Sequence, residues 1–414
     1  MDLVAAIVGI AAGGIGALGA WYTYGPYRAR KQEERRERFV EEREFLNTER
    51  VRLQRLSRAL YPDQMHAIPG MLSDPLWTPP APFPIAQLDL VLAQDEIVPA
   101  LRPRILHEVR MTLLPSSQSG TVFATYSSTL EHLSRPRLFA NRLCYSLRGA
   151  DFGPAPRLEL GLARYFEAID ENEAVAHETA HALIDGGSDG ALSLKRLPIR
   201  SLVPTTSLGD RSAVCSVSAL TLIRSGTRWG FYLHARSNTD VAMGANQLHV
   251  VPSGVFQPAS DHASTIKRDL SIWYTLCREY AEEYLNTEEA KGEDGMALSY
   301  DTDAPYAQIN HLYASGRMSV SVVGLGLDPL TLFPELLTVS TMDEQAFDDV
   351  FSEMVTRNEE GAFRGEAVSG GRIQRFAFDE ETVTGLVASA SLSPGARGLL
   401  ALAWRWREEL TGQG

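Results

Sequence analysis

The stretch from Asp269 to Asn286 constrains this 414-residue chain more than any other. Trp273, Leu276, Cys277, Tyr280 and Tyr284 recur there at spacings of three and four, the period of a helix with one apolar stripe to bury. Glu279, Glu282 and Glu283 then project together on the other side. Three carboxylates on one face of an anchored helix can hold a hard divalent cation such as Mg2+ through oxygen. Without a cation, the same glutamates are ordinary text for a solvated helix face.

The flanking segments predict the rest of an α/β (α+β) layer. Ala213 to Ile223, Trp229 to Ala235 and Gln247 to Val251 read as strands separated by Gly, Ser and Asn turns. A Pro252-Ser253-Gly254 turn leads from the third strand toward the carboxylate helix. Beyond it, Met318 to Gly324 and Leu336 to Val339 are strand-like, and Asp343 to Arg357 reads as a helix. Strands and helices in this order predict a mixed sheet flanked by helices.

Arg278-Glu279-Tyr280-Ala281-Glu282-Glu283, in that setting, resembles the core of the Nudix box, and residues 203–414 resemble a Nudix domain. The resemblance implies metal-dependent hydrolysis of a nucleoside-diphosphate-linked substrate. It implies Glu279, Glu282 and Glu283 as ligands to Mg2+ or Mn2+, with Glu282 and Glu283 catalytic. Arg278 would orient them, and Gly254 matches the glycine of the turn before the helix. A further carboxylate completes such sites; Glu335, Glu359 and Glu360 are the candidates. The sequence departs from the family in three ways. Gly254 stands 24 residues before Arg278, a longer stretch than the family's. Asp269 and Leu270 occupy the neighbourhood of an expected upstream glutamate, and Tyr284-Leu285 replaces the closing glycine. These departures keep a second function open, a degenerate module that binds a nucleotide as sensor or scaffold without turnover.

A third expectation comes from His177-Glu178-Thr179-Ala180-His181, a literal His-Glu-x-x-His in a helix-like run from Glu171 to Ile184. Two histidines four apart share a helical face and can bind zinc, with the glutamate as general base of a metallopeptidase. The third ligand has no marked source, because Ile184 and Gly187 stand where the extended motif would have glycine and histidine. The same helix carries Ala174, Ala176, Ala180 and Ala182, as a packed structural helix would.

The amino terminus has a grammar of its own. Leu3 to Tyr27 holds no charged residue, long enough to cross a bilayer, which takes roughly 20 apolar residues. Arg28, Arg30, Lys31, Arg35 and Arg36 follow it, which places the amino terminus outside and the body in the cytoplasm of a single-pass membrane protein. Gly9-x-x-x-Gly13 would let two such helices pack as a homodimer. Residues 28–60 read as a charged helical stalk, with 11 Lys/Arg against 7 Glu between Arg28 and Arg58. Residues 61–202, opened by a Pro-rich passage from Pro75 to Pro84, read as an α+β accessory region. A net charge of −13 argues against nucleic acid as a partner, since phosphate backbones need a basic surface. Cys144, Cys215 and Cys277 are too few and too scattered for a disulfide framework or a zinc site.

Overall fold

The computed structural model describes residues 30–64, 67–93, 99–117, 121–137, 139–186, 192–236, 247–288, 298–358, 361–369 and 372–412. The expected anchor from Leu3 to Tyr27, with Gly9 and Gly13, lies outside the described residues, as do Glu359 and Glu360. Among the described residues, no helix is long and apolar enough to cross a membrane.

The chain opens with two helices in succession, α1 (30–48) and α2 (Arg50–Arg58). Next come β1 (Phe83–Pro84), β2 (Asp89–Leu92), α3 (Arg102–Thr112) and α4 (Tyr126–Leu133). The hairpin of β3 (Leu143–Asp151) and β4 (Arg157–Arg164) pairs with β2 as a three-stranded sheet, β2 parallel and β3 antiparallel to β4. A long helical passage follows: α5 (Tyr165–Ala168), a π-helical turn at Ile169–Glu173, and α6 (Ala174–Gly186). The short α7 (Pro198–Leu202) leads into the carboxyl-terminal half.

There β5 (Ser216–Ser225), β6 (Arg228–Phe231), β7 (Leu233–Arg236), β8 (Leu248–Val250) and β9 (Ser253–Val255) precede α8 (Ala263–Arg268), α9 (Ile272–Leu285) and α10 (Tyr306–Ala314). The long strands β10 (Met318–Leu327) and β11 (Pro334–Asp343) run into α11 (Glu344–Phe351). After β12 (Gly361–Arg364), β13 (Ala367–Ser369), β14 (Arg372–Gln374) and β15 (Phe376–Ala377), the chain closes on α12 (Glu380–Ala388), α13 (Pro394–Arg405) and α14 (Arg407–Thr411).

The largest sheet among the described residues is mixed, in the order β1-β10-β11-β5-β6-β15, with β9 beside β5. β11 runs parallel to β5, and β10 antiparallel to β11. The far edge of β5 is shared: its first residues pair with β9 and its last with β6. Side chains alternate along a strand, so β5 feeds two cores. Val217, Ala219 and Ile223 join Trp273, Leu276, Tyr280, Tyr284, Phe347 and Phe351 from α9 and α11. Leu220 and Leu222 join Leu399, Leu400 and Ala403 of α13. The expected mixed sheet between helices is what the chain forms.

The stalk expectation is corrected. Charge spacing suggested a solvated helix, yet Phe39, Leu46, Leu53, Glu42, Arg43 and Arg50 are buried. Leu46 and Leu53 pack on Ala176, Ala180 and Leu183 of α6, and Phe39 belongs to the same core as Tyr145, Trp273 and Leu336. The charges hid this because their partners lie more than a hundred residues away, beyond the reach of a local periodicity.

Candidate functional site

Helix α9 starts at its N-cap Ser271, whose side chain accepts from Tyr274 N, and ends at Asn286 in a left-handed conformation. Its apolar stripe is buried as expected: Leu276, Cys277, Tyr280 and Tyr284 have no exposed surface and Trp273 is nearly covered. Tyr280 Oη lies 2.8 Å from Thr221 Oγ1 on β5, fixing the helix to the sheet. The carboxylate face is not a solvated one. Glu283 is 2% exposed, and Glu279 and Glu282 are half-buried.

Two of these carboxylates meet β9. Gly254 lies directly under the Glu279 carboxylate, so that a β-carbon there would fall far inside van der Waals contact. Glu283 Oε2 accepts from Ser253 N at 3.3 Å on the open edge of the strand. Gly254 thus serves to admit a glutamate of the same chain. Glu282 stands three residues after Glu279 on α9 and shares its face.

Glu335 is also drawn in, from the start of β11. Ser218 Oγ donates to Glu335 Oε1 and lies 2.8 Å from Ser253 Oγ. The carboxylate fits against Gly395 in the first turn of α13, again with no space for a side chain. Register decides what this means. Gly254 pairs with Val217 and Ser253 with Ser218, so successive residues of β9 face opposite sides of the sheet. Glu279 sits on the α9 side with Gly254, whereas Glu335 sits on the α13 side with Ser218 and Ser253. The backbone of β5 and β9 stands between them.

Arg278 does other work than the resemblance implies. It is 5% exposed and donates to Tyr300 Oη, to the Gln257 carbonyl and, at 3.4 Å, to Asp269 Oδ2. Asp269, fully buried, accepts in turn from Ala259 N at 2.9 Å. Arg278 and Asp269 therefore clamp the 256–259 loop onto the start of α9, in the stretch where the family carries an upstream glutamate. Despite burial, Arg278 stays firmly charged beside Tyr300 and Asp269.

The His-Glu-x-x-His motif has a different use. His177 Nε2 donates to Glu42 Oε2 at 2.9 Å, and its Nδ1 lies 2.9 Å from Tyr126 Oη. His181 Nδ1 lies 2.7 Å from Glu42 Oε1, and Arg38 Nε donates to the same oxygen at 2.7 Å. Both histidines converge on a carboxylate of α1 that also carries an arginine. Burial lowers the pKa of His177, while the hydrogen bond to Glu42 raises that of His181. Burial alone would raise the Glu42 carboxyl, but bonds from His177, His181 and Arg38 hold it well below the usual range. Glu178 points elsewhere: it accepts from Ile199 N at 2.7 Å and Arg200 N at 2.9 Å, capping α7. A carboxylate committed to two amides is not placed to activate a water beside the histidines.

The π-helical turn before this motif holds residues that local reading missed. Asp170, Glu171, Asn172 and Glu173 are all buried, and each reaches a different element. Asp170 accepts from Ser127 N at 2.7 Å, and burial pushes its carboxyl up to about 6. Glu171 takes Arg102 at 2.6 Å and Ser212 N at 2.9 Å. Asn172 accepts from Arg211 at 2.9 Å, and Glu173 takes Arg43 at 2.6 Å and Arg50 at 3.0 Å. Four consecutive polar residues inside an otherwise apolar helix were the signal, since buried charges persist only when paired.

Among the described residues, no three His, Cys, Asp or Glu side chains are grouped so as to hold a metal ion. For the carboxylates the sheet separates Glu335 from Glu279; for the histidines Arg38 bonds the carboxylate they share and reaches Asp185 at 2.5 Å. No protein-family model matches the chain, and neither does any curated protein.

Proposed function

We propose that residues 203–414 form a Nudix-like module that binds a nucleoside-diphosphate-type ligand as a sensor or scaffold, without hydrolysing it. What supports the Nudix-like part is the order of elements: β5 and β9, then a helix bearing Arg278-Glu279 and Glu282-Glu283, set on a mixed sheet. What carries the non-hydrolytic part is one observation. Glu283 accepts from β9 and Glu279 lies over Gly254 on one side while Glu335 is held on the other, so these carboxylates form internal contacts in place of a metal cradle. The uncharged run from Leu3 to Tyr27 and the arginines after it support a membrane anchor with the body on the cytoplasmic side.

The test uses the full chain with a panel of nucleoside diphosphates and their conjugates, with and without Mg2+ or Mn2+. Thermal stabilisation by at least one member, with no phosphate-containing product released, is the expected result. Release of product that needs the metal and is abolished by Glu282→Gln with Glu283→Gln would establish hydrolysis and overturn the binding-only reading. Neither stabilisation nor turnover across the panel would overturn both.

A further inference from the structure

Among the described residues of this acidic chain lies a groove with the opposite sign. Between α2 and the α12–α13 connection lies a cavity of about 560 Å3 with Arg52, Arg55, Arg58 and Arg397 in its lining, against Glu49 as the carboxylate. Its volume falls within the roughly 300–1,000 Å3 of small-molecule sites. Glu49 is already engaged by Arg52 at 3.4 Å. Arg397 is set in place from behind, donating to the carbonyls of Val387 and, at 2.6 Å, Ser389. A guanidinium carries five donors, and these bonds use two of them. Arg55 is exposed, and Arg58 and Arg397 are half-buried. Val51, Leu392 and Pro394 supply an apolar wall.

From this, the geometry points to a diphosphate-binding site: the groove takes the two phosphates of a nucleoside-diphosphate-type ligand and rests its apolar part on the Leu392–Pro394 wall. The inference rests on the binding function proposed above, extends its site beyond residues 203–414 to α2, and moves the phosphates away from the carboxylate face of α9. Two considerations support it. The planar guanidinium fork matches phosphate oxygens bidentately, which is why arginine recurs at phosphate sites. Arg58 and Arg397 are close enough for their charges to oppose one another; burial first, and for Arg397 the Arg58 charge next, makes each easier to deprotonate than usual. An anion between them relieves both effects.

The probes are inorganic pyrophosphate and ADP, titrated calorimetrically into the full chain. Wild type is expected to bind both, with affinity falling as salt rises. Arg55→Gln with Arg58→Gln is expected to weaken pyrophosphate at least tenfold with an unchanged melting temperature in its absence; Arg58→Lys is expected to recover part of the loss. Arg55→Gln alone, at an exposed position, is the control for folding and is expected to weaken binding by a smaller factor. Binding of ADP and pyrophosphate unaffected by these substitutions would overturn the groove and leave the binding module standing. Loss of binding in Glu279→Gln instead would locate the ligand at α9 and also overturn the groove. No binding of pyrophosphate or any nucleotide by wild type would overturn both proposals.

Discussion

Gly254 leaves no space for even a methyl group under Glu279. Gly254→Ala is therefore expected to displace the Glu279 carboxylate, the movable end of its side chain, and to cost about 1 kcal/mol, the low end of the usual range for overpacking. Glu279→Ala in the same chain is expected to recover most of it, because the obstructing carboxylate is gone; urea denaturation of the four members of this cycle checks the coupling. The same cost for Gly254→Ala with and without Glu279→Ala would mean that Glu279 does not rest there. His181 makes a second residue-scale prediction. Its pKa is raised in the folded state by the bond to Glu42, so its stabilisation is complete below the unfolded value near 6.5 and is lost as pH rises through the higher folded value. His177 acts oppositely on the acid side, where its depressed pKa costs stability. Comparing wild type with His181→Gln isolates the first effect: the wild-type advantage in melting temperature is expected to shrink as pH rises from the unfolded value near 6.5 through the raised folded value. An advantage constant across that range would remove His181 as a titrating contact.

At the scale of elements, α1 and α2 are held by charges that face inward. Glu173 has no exposed surface and pairs with Arg43 and Arg50, themselves nearly fully buried. Removing one partner of such a set strands the others away from water, so Glu173→Gln is expected to cost about 3–5 kcal/mol. Gln54 adds a neutral tie, donating to Asp328 at 2.9 Å in the connection from β10 to β11. Local sequence could show that these helices are helical and basic. It could not show that their arginines point at a π-helical turn more than a hundred residues onward. The same limit applied to His177 and His181. Their spacing on one helical face was legible, but the carboxylate they share belongs to α1, and the motif's own glutamate was taken by α7.

For the whole molecule, the consequence is that residues 30–58 are part of the body. One core joins Phe39 of α1, Tyr145 of β3, Trp273 of α9 and Leu336 of β11. β3 reaches the carboxyl-terminal half through backbone bonds from Tyr145 N to the Phe256 carbonyl and from Leu147 N to the Ala213 carbonyl, each 2.9 Å. A fragment beginning at residue 30 is expected to unfold cooperatively in one transition. A fragment beginning at residue 61 is expected to aggregate or lack a cooperative transition, because it exposes the surfaces that Phe39, Leu46 and Leu53 cover and leaves Glu173 unpaired. Circular dichroism and calorimetry of the two fragments decide this. A well-folded shorter fragment would show the helices to be an appendage.

What the sequence by itself determined are the features written in short-range periodicity. The buried stripe of α9, the strands at β5, β10 and β11, and the mixed sheet between helices all follow from apolar residues repeating every two or every three to four positions. That Glu279, Glu282 and Glu283 share a face follows from the same arithmetic. Tertiary structure alone decided where that face points and what meets it. The pairing of β9 with β5 sets Ser253 and Gly254 on opposite sides of the sheet, dividing Glu335 from Glu279, and the packing of α1 on α6 gives the two histidines a carboxylate. Periodicity acts between neighbours a turn apart, whereas register and ion pairing act between segments whose distance along the chain leaves no local trace.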